Sequence, residues 1–347
     1  MKALDKNDIE SFDRLIRTSG KITVTGHMHP DGDAVGSGTA MLGYLAGRGK
    51  DAMLVLPDPY PSSLGFLAGN PAERIIIHSE SAKKAEERLL SSDLVICLDF
   101  NAFSRTGDLE ETMYACTGGK VLIDHHLNPE SGDFDLCFSE TEVSSTAELL
   151  YYILLEMPDI SHEACRLPAI TATALMTGMT TDTNNFANSV FPTTLDMASS
   201  LLATGVDRDL ILDNILNSYK ESRIRLMGYL LDKRLEITED GVAYMILDSE
   251  TIRKFGISDG DTEGFVNIPL AIRNVKMSIF LKQDKDRFRV SVRSKKGISA
   301  NSCASEFFNG GGHEQASGGK LMIPDDVRNL EEAAIYIEKS THIFFNR

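Results

Sequence analysis

The chain lacks the features that would place it in a membrane, outside the cell or in the nucleotide-motor class. No apolar run approaches the roughly 18–20 residues of a bilayer span. The opening Met-Lys-Ala-Leu-Asp-Lys-Asn-Asp-Ile-Glu is charged throughout and holds no signal-peptide core. Cysteine is scarce: the five, at 97, 116, 137, 165 and 303, are odd in number and show no C-x-x-C spacing. They read as reduced thiols, so the expectation is a cytoplasmic protein with no membrane partner. There is no G-x-x-x-x-G-K-[ST] loop, no internal repeat and no low-complexity tract. Positive charge is also in deficit. Thirty-five Lys and Arg against 51 Asp and Glu give a net charge of −16, which argues against a general nucleic-acid coat protein.

The 347 residues suffice for two domains, each with its own core. Between residues 21 and 205, short apolar runs alternate with amphipathic stretches. The pattern predicts strands at Lys21–Thr25, Ala52–Leu56, Arg74–Ile77, Leu94–Leu98 and Lys120–Ile123. It predicts helices at Ala34–Gly47, Ser81–Leu90, Thr146–Leu155, Glu163–Thr177 and Pro192–Leu202. Such alternation implies an α/β fold, with a doubly wound, mostly parallel sheet in residues 1–205. Residues 206–234 form a charge-laced amphipathic stretch, read as a helix or helix pair connecting two lobes. From 235 to 347, strands at Val242–Leu247, Lys276–Leu281 and Arg287–Arg293 precede a glycine-rich segment and a helix near Asn329–Lys339. These imply a smaller α+β domain.

Four acidic and histidine clusters carry the chemistry. They are His27-x-x-Pro30-Asp31-Gly32-Asp33, Asp99 closing Leu-Val-Ile-Cys-Leu-Asp, Asp124-His125-His126 closing Val-Leu-Ile, and Asp182 in Thr-Gly-Met-Thr-Thr-Asp-Thr. Several follow buried-strand runs, and in an open parallel sheet ligands bind at the carboxyl ends of strands. Taken singly, the first is a turn, while Asp99 and Asp182 are helix or segment caps. One acid and two imidazoles closing a buried strand are harder to explain without a ligand, since burial costs desolvation. Five of eight histidines (27, 29, 125, 126, 313) fall in motif segments, and 78, 162 and 342 read as surface or core. Carboxylates with few imidazoles and no thiolate favour two Mn²⁺, with Mg²⁺ or Co²⁺ as substitutes, over structural zinc. No Ser-His-Asp or Cys-His arrangement competes.

Residues 273–296 hold nine Lys/Arg against two Asp, a local excess that could attract a polyanion or be simply a solvated face. Strand periodicity places Arg289, Ser291 and Arg293 on one face, and an Arg fork suits phosphate oxygens. Gly310-Gly311-Gly312 before His313 reads as a backbone nest for an anion, or as a flexible turn before a helix. Arg105 is a further candidate phosphate contact.

These motifs together resemble the DHH phosphoesterases of the two-domain DHH–DHHA1 type, which includes nanoRNase/pAp-phosphatases and chains labelled exopolyphosphatase-related. The resemblance covers nearly the whole chain and includes Gly310-Gly-Gly-His313-x-x-Ala316-Ser317-Gly318, with Ser317 where the family usually has Ala. It implies one ion on His27, Asp31 and Asp99, and another on Asp33, Asp99, His125 and Asp182. His126 would lie near the scissile phosphate, with Asp124 fixing an imidazole, so that His126, Asp99 and Asp124 form the catalytic set. Arg293, Gly311, Gly312 and His313, with Arg289 and Arg105, would bind substrate. The expected activity is hydrolysis of short RNA oligonucleotides and of small phosphorylated nucleotides such as pAp. Alternatives are a cyclic-di-AMP or pApA phosphodiesterase, an exopolyphosphatase-like hydrolase, or a non-catalytic nucleic-acid-binding module. A homodimer is compatible with all of these.

Overall fold

A computed structural model describes residues 3–68, 72–217, 219–258 and 260–346. The chain forms two compact units, Met1–Ser218 and Tyr219–Arg347.

The elements of the first unit, in order, are α1 (Lys6–Thr18), β1 (Lys21–Thr25), α2 (Gly32–Gly47), β2 (Asp51–Leu56), α3 (Gly65–Ala68), β3 (Ile75–Ile77), α4 (Ala82–Leu90), β4 (Leu94–Leu98), α5 (Glu110–Ala115), β5 (Gly119–Asp124), β6 (Leu136–Ser139), α6 (Thr146–Glu156), α7 (Ala169–Asp182), α8 (Pro192–Ala203) and α9 (Arg208–Ile215). The six strands are parallel throughout, in the order β3-β2-β1-β4-β5-β6. This is the doubly wound arrangement that the alternation implies, with its switch point between β1 and β4. All five residues of β4 are buried, as expected of a strand covered on both faces. Two expectations shift. Pro168 caps α7, so that helix begins after it rather than at Glu163, and it runs on through Asp182 instead of ending at Thr177. Residues before 21, for which the pattern predicts nothing, form α1, whose Ile9, Phe12 and Ile16 enter the core.

The second unit contains α10 (Glu221–Lys233), β7 (Glu236–Ile237), β8 (Val242–Leu247), α11 (Ser249–Phe255), β9 (Met277–Asp284), β10 (Arg287–Ser294), α12 (Ala300–Phe307), β11 (Gly311–Gly312), β12 (Ala316–Met322) and α13 (Leu330–Phe345). Its mixed sheet runs β11-β12-β10-β9-β8-β7, with only β8 and β9 parallel. One core joins Phe288, Val290 and Val292 to Cys303 of α12 and Ile337 of α13. Another joins Phe280 to Leu226 and Leu230 of α10 and to Phe265. The amphipathic stretch after residue 206 is thus a helix pair, with Ile211 and Ile215 of α9 in the first unit's core. The triple glycine opens a β-hairpin, not a helix.

Candidate metal centre

Three parallel strands deliver the clusters to one edge of the first sheet. His27 follows β1, Asp99 follows β4 and Asp124 ends β5. Asp31 caps α2, its Oδ1 accepting from Asp33 N at 3.0 Å and Ala34 N at 3.2 Å. Asp33 lies in the first turn of α2 rather than in the preceding loop, and Asp182 is the last residue of α7 rather than part of a turn. Asp99 has φ +66°, an uncommon conformation for a side chain-bearing residue and one that costs about 1–3 kcal/mol.

Three overlapping donor groups result: His27, Asp31 and Asp99; Asp99, His125 and His126; and Asp33, His125 and Asp182. Within each, the donor atoms lie within 4.8 Å of one another. His27 Nε2 stands 3.4 Å from Asp99 Oδ2 and 3.8 Å from Asp31 Oδ1. Its Nδ1 is 2.8 Å from the carbonyl of Met28, which fixes a proton there and leaves Nε2 as the nitrogen that could ligate a metal. His125 Nε2 stands 3.6 Å from Asp99 Oδ1 and 3.7 Å from Asp182 Oδ2. The two oxygens of Asp99 therefore face different imidazoles. His126 lies edge-on to His125 and donates from Nδ1 to Asp124 Oδ1 at 2.7 Å. Asp124 is fully buried, and its Oδ2 has no hydrogen-bond partner among the described residues.

The electrostatics of the cluster suit it to cations. Burial, then the charges of Asp99, Asp182 and Asp31, push the Asp33 carboxyl well above the usual range. Burial, then Asp99 and Asp31, do the same to Asp182. Burial opposes the charge of His27, but Asp31 and Asp99 outweigh it and push the imidazole up to about 10. Asp99 is likewise held low against its burial, chiefly by His27. His125 is lowered by burial and so favours the neutral form that ligates metals. His126 is raised despite burial, because Asp124 accepts its proton. Converging carboxylates, of which Asp33 and Asp182 are raised by their neighbours' charge and by burial, are suited to divalent cations, and the mixed O/N donor set fits them.

Further contacts come from residues that the motifs do not single out. Asp33 accepts from Thr146 N at 2.6 Å and Ala147 N at 2.9 Å, and Asp99 Oδ1 accepts from the Thr146 hydroxyl at 2.9 Å. The only sequence signal for them is the capping box that begins at Ser145. In the Ser145-x-x-Glu148 pattern the serine accepts from Glu148 N as a capping box requires, but the Glu148 carboxylate turns to Ser144 instead of the cap amide. Arg105 is exposed, its carbonyl accepts from Met28 N at 2.7 Å, and its charge acts on His126. His29 is not in the cluster and faces Asp58. Of the histidines outside the motifs, His78 is buried, while His162 and His342 are exposed.

In the second unit, Arg293 is half-buried and donates to the carbonyls of Val292 and Ser317, and burial lowers its pKa. Strand register sets it opposite Ala316, beside the tight turn that carries the exposed His313. Ser317, the departure from the usual Ala, donates its hydroxyl to the His313 carbonyl at 2.8 Å and so ties that turn. Gly310 N donates to Ala304 O and Gly312 N to Asn301 Oδ1, so these two amides do not form the open nest that the glycines suggest. The glycines allow close backbone approach instead: a Cβ on Gly312 would meet the Ala316 carbonyl at 2.8 Å. Arg289 is exposed, opposite Lys282 and Lys320, and shares Arg293's face of β10 two positions removed from Ser291.

Residues 21–179 match the DHH family, N-terminal domain, and residues 239–339 match the DHHA1 domain. The crystal structure of an exopolyphosphatase-related protein from Bacteroides fragilis has a TM-score of 0.93 and 34% identity, covering 100% of this chain and 98% of that one. The bifunctional oligoribonuclease and PAP phosphatase NrnA of Thermus thermophilus is 30% identical over 88% of this chain and 86% of its own length. Its namesake from Bacillus subtilis is 25% identical over 91% of this chain and 94% of its own. The chain, with its metal-donor cluster at the switch point of one sheet and its glycine-rich hairpin in the other, belongs to the DHH family in its DHH–DHHA1 form.

Proposed function

We propose that this phosphoester hydrolase cleaves very short oligoribonucleotides and removes the 3′-phosphate of pAp, with two divalent ions of the manganese class. The observation that carries the reading is that Asp99 belongs to two of the donor groups, one with His27 and Asp31 and one with His125, as a carboxylate shared by two ions would. His27, Asp31 and Asp99 would hold one ion, and Asp33, Asp99, His125 and Asp182 the other. When bound there, such ions polarise a phosphoryl oxygen and lower the pKa of water toward neutrality.

The remaining work falls to the chain itself. Asp124 holds the Nδ1 proton of His126 and sets the ring so that Nε2 is the nitrogen offered to the scissile phosphate or leaving oxygen. Arg105 supplies positive charge near that imidazole. Arg293 is the proposed phosphate fork of the second unit, with His313 and the Gly311–Gly312 hairpin beside it and Arg289 as an outer contact. Whole-chain similarity to relatives named as oligoribonucleases and PAP phosphatases supports this substrate class over pyrophosphate.

The test is turnover by purified protein with Mn²⁺, offered pAp, a dinucleotide, longer RNA, cyclic di-AMP and polyphosphate. Release of AMP from pAp and mononucleotides from the dinucleotide is expected. Preferential cleavage of cyclic di-AMP or polyphosphate would overturn the substrate assignment. Undiminished turnover by Asp99→Ala would overturn the metal centre, whereas oligonucleotide binding with no turnover by the wild type would point to a binding module.

A further inference from the structure

We infer that Thr146 is a positioning residue of the paired-ion centre: through it, the first turn of α6 locks Asp33 and Asp99 to each other and so sets the separation of the two cation positions. This rests on the proposed assignment of both carboxylates as ligands.

The two acids arrive from separate elements, α2 and the end of β4. They are 1% and 2% exposed. Like charges buried together repel, and among the described residues no side-chain hydrogen bond between α2 and β4 holds them in register. Thr146 touches both. Its amide donates to Asp33 Oδ2 and its hydroxyl to Asp99 Oδ1, while the next amide, of Ala147, takes the other oxygen of Asp33. The amide and hydroxyl of one threonine are linked only through Cα and Cβ, and a β-branched side chain is stiff at χ1. The distance between the two carboxylates is therefore set by two hydrogen bonds through one stiff residue. The hydroxyl also fixes the rotation of Asp99, directing one oxygen to His27 and the other to His125. The positive end of α6 favours the ionised form of Asp33 at the same contact.

The turn is itself anchored from behind. Fully buried Glu148 accepts from Ser144 N at 2.9 Å, from the Ser144 hydroxyl at 2.5 Å, and from the hydroxyls of Thr193 and Thr194 at 2.6 Å each. Those threonines open α8, so the turn cannot shift without moving a second helix. Ser145 satisfies only the Glu148 amide; the Thr146 and Ala147 amides are first-turn donors that any buried helix start must satisfy, here by Asp33, and the Thr146 hydroxyl on Asp99 is the contact that capping does not call for.

Thr146→Val keeps the shape and the amide and removes the hydroxyl. Metal-free protein titrated with Mn²⁺ by calorimetry, with electron paramagnetic resonance of the loaded form, reads the effect directly. The variant should bind the pair roughly 10–100-fold more weakly, the usual consequence of losing a group that orients a ligand, and show altered exchange coupling between the ions. Its kcat should fall with KM little changed, and Thr146→Ser should restore both. If Thr146→Val folds poorly, Thr146→Ala against Thr146→Ser, which differ by the hydroxyl alone, makes the same comparison. Wild-type affinity and coupling in the hydroxyl-less variants would overturn the inference. Wild-type protein that takes up fewer than two ions would instead overturn the paired-ion reading, before any variant is made.

Discussion

The two units treat charge in opposite ways. The first buries Asp33, Asp99 and Asp124 almost completely and gives them backbone amides, a hydroxyl and imidazoles as partners. The second leaves Arg289 and His313 exposed and only half-buries Arg293. A site that assembles ions must fix its ligands before they arrive, because a displacement of an ångström changes the coordination. A site that grips a phosphate can rely on long side chains that adapt to it. Precision is built where charge is buried, and tolerance where it is exposed.

That contrast orders the expected effects. Removing the shared acid, as Asp99→Ala, should reduce turnover to the uncatalysed background and abolish uptake of the second ion, checked by single-turnover assay and metal analysis. His126→Ala should lower kcat by about 10²–10⁴-fold with the ion count unchanged, as expected for loss of a proton-handling group. Arg293→Lys keeps the charge but loses the fork. Loss of a hydrogen bond to a charged group, about 1.5–3 kcal/mol, should raise KM roughly 10–100-fold and leave kcat nearly alone. Arg289→Ala, at an exposed position, should change KM by less than about fivefold. If Arg289→Ala matched Asp99→Ala, the contrast between the units would be broken.

pH sharpens it further. In the metal-free form His27 stays protonated up to about 10, against 6.5 for an ordinary imidazole, so its contribution to stability is full below ~6.5 and is lost as pH rises through 10. Asp33 and Asp182 are also raised, so their contribution erodes above the usual carboxylate range. Metal-free protein should therefore lose stability as pH rises, and ions should bind more tightly with release of protons. Calorimetry in buffers of differing ionisation enthalpy would detect that release, and its absence would contradict the assignment of these groups as ligands.

Much of this is legible in the chain. β4 appears where an apolar run ends at Asp99, because a strand buried on both faces is nearly continuously apolar, and β1 appears as a short β-branched run two residues before His27. The spacing Ile9, Phe12, Ile16 could have revealed α1, but charged residues around it mask the stripe. The service of Thr146 and Ala147 to Asp33 is illegible, since it depends on amides more than a hundred residues away in sequence. The glycines at 310–312 announce close approach without saying what approaches; Gly310 and Gly312 lie against the backbone of residues 316–319.

One small absence has a wide reach. Gly178 of α7 lies so near the centre that a methyl group there would come within 2.8 Å of Asp33 Oδ1 and 2.7 Å of the Ala147 methyl. The spacing of α2, α6 and α7 is thus transmitted straight to a carboxylate oxygen of the candidate metal centre, with no intervening side chain to absorb an error. A substitution that a packing survey would score as a tight fit between helices would be felt first by whatever the carboxylate holds. In this chain the packing of three helices and the candidate metal centre have a common wall.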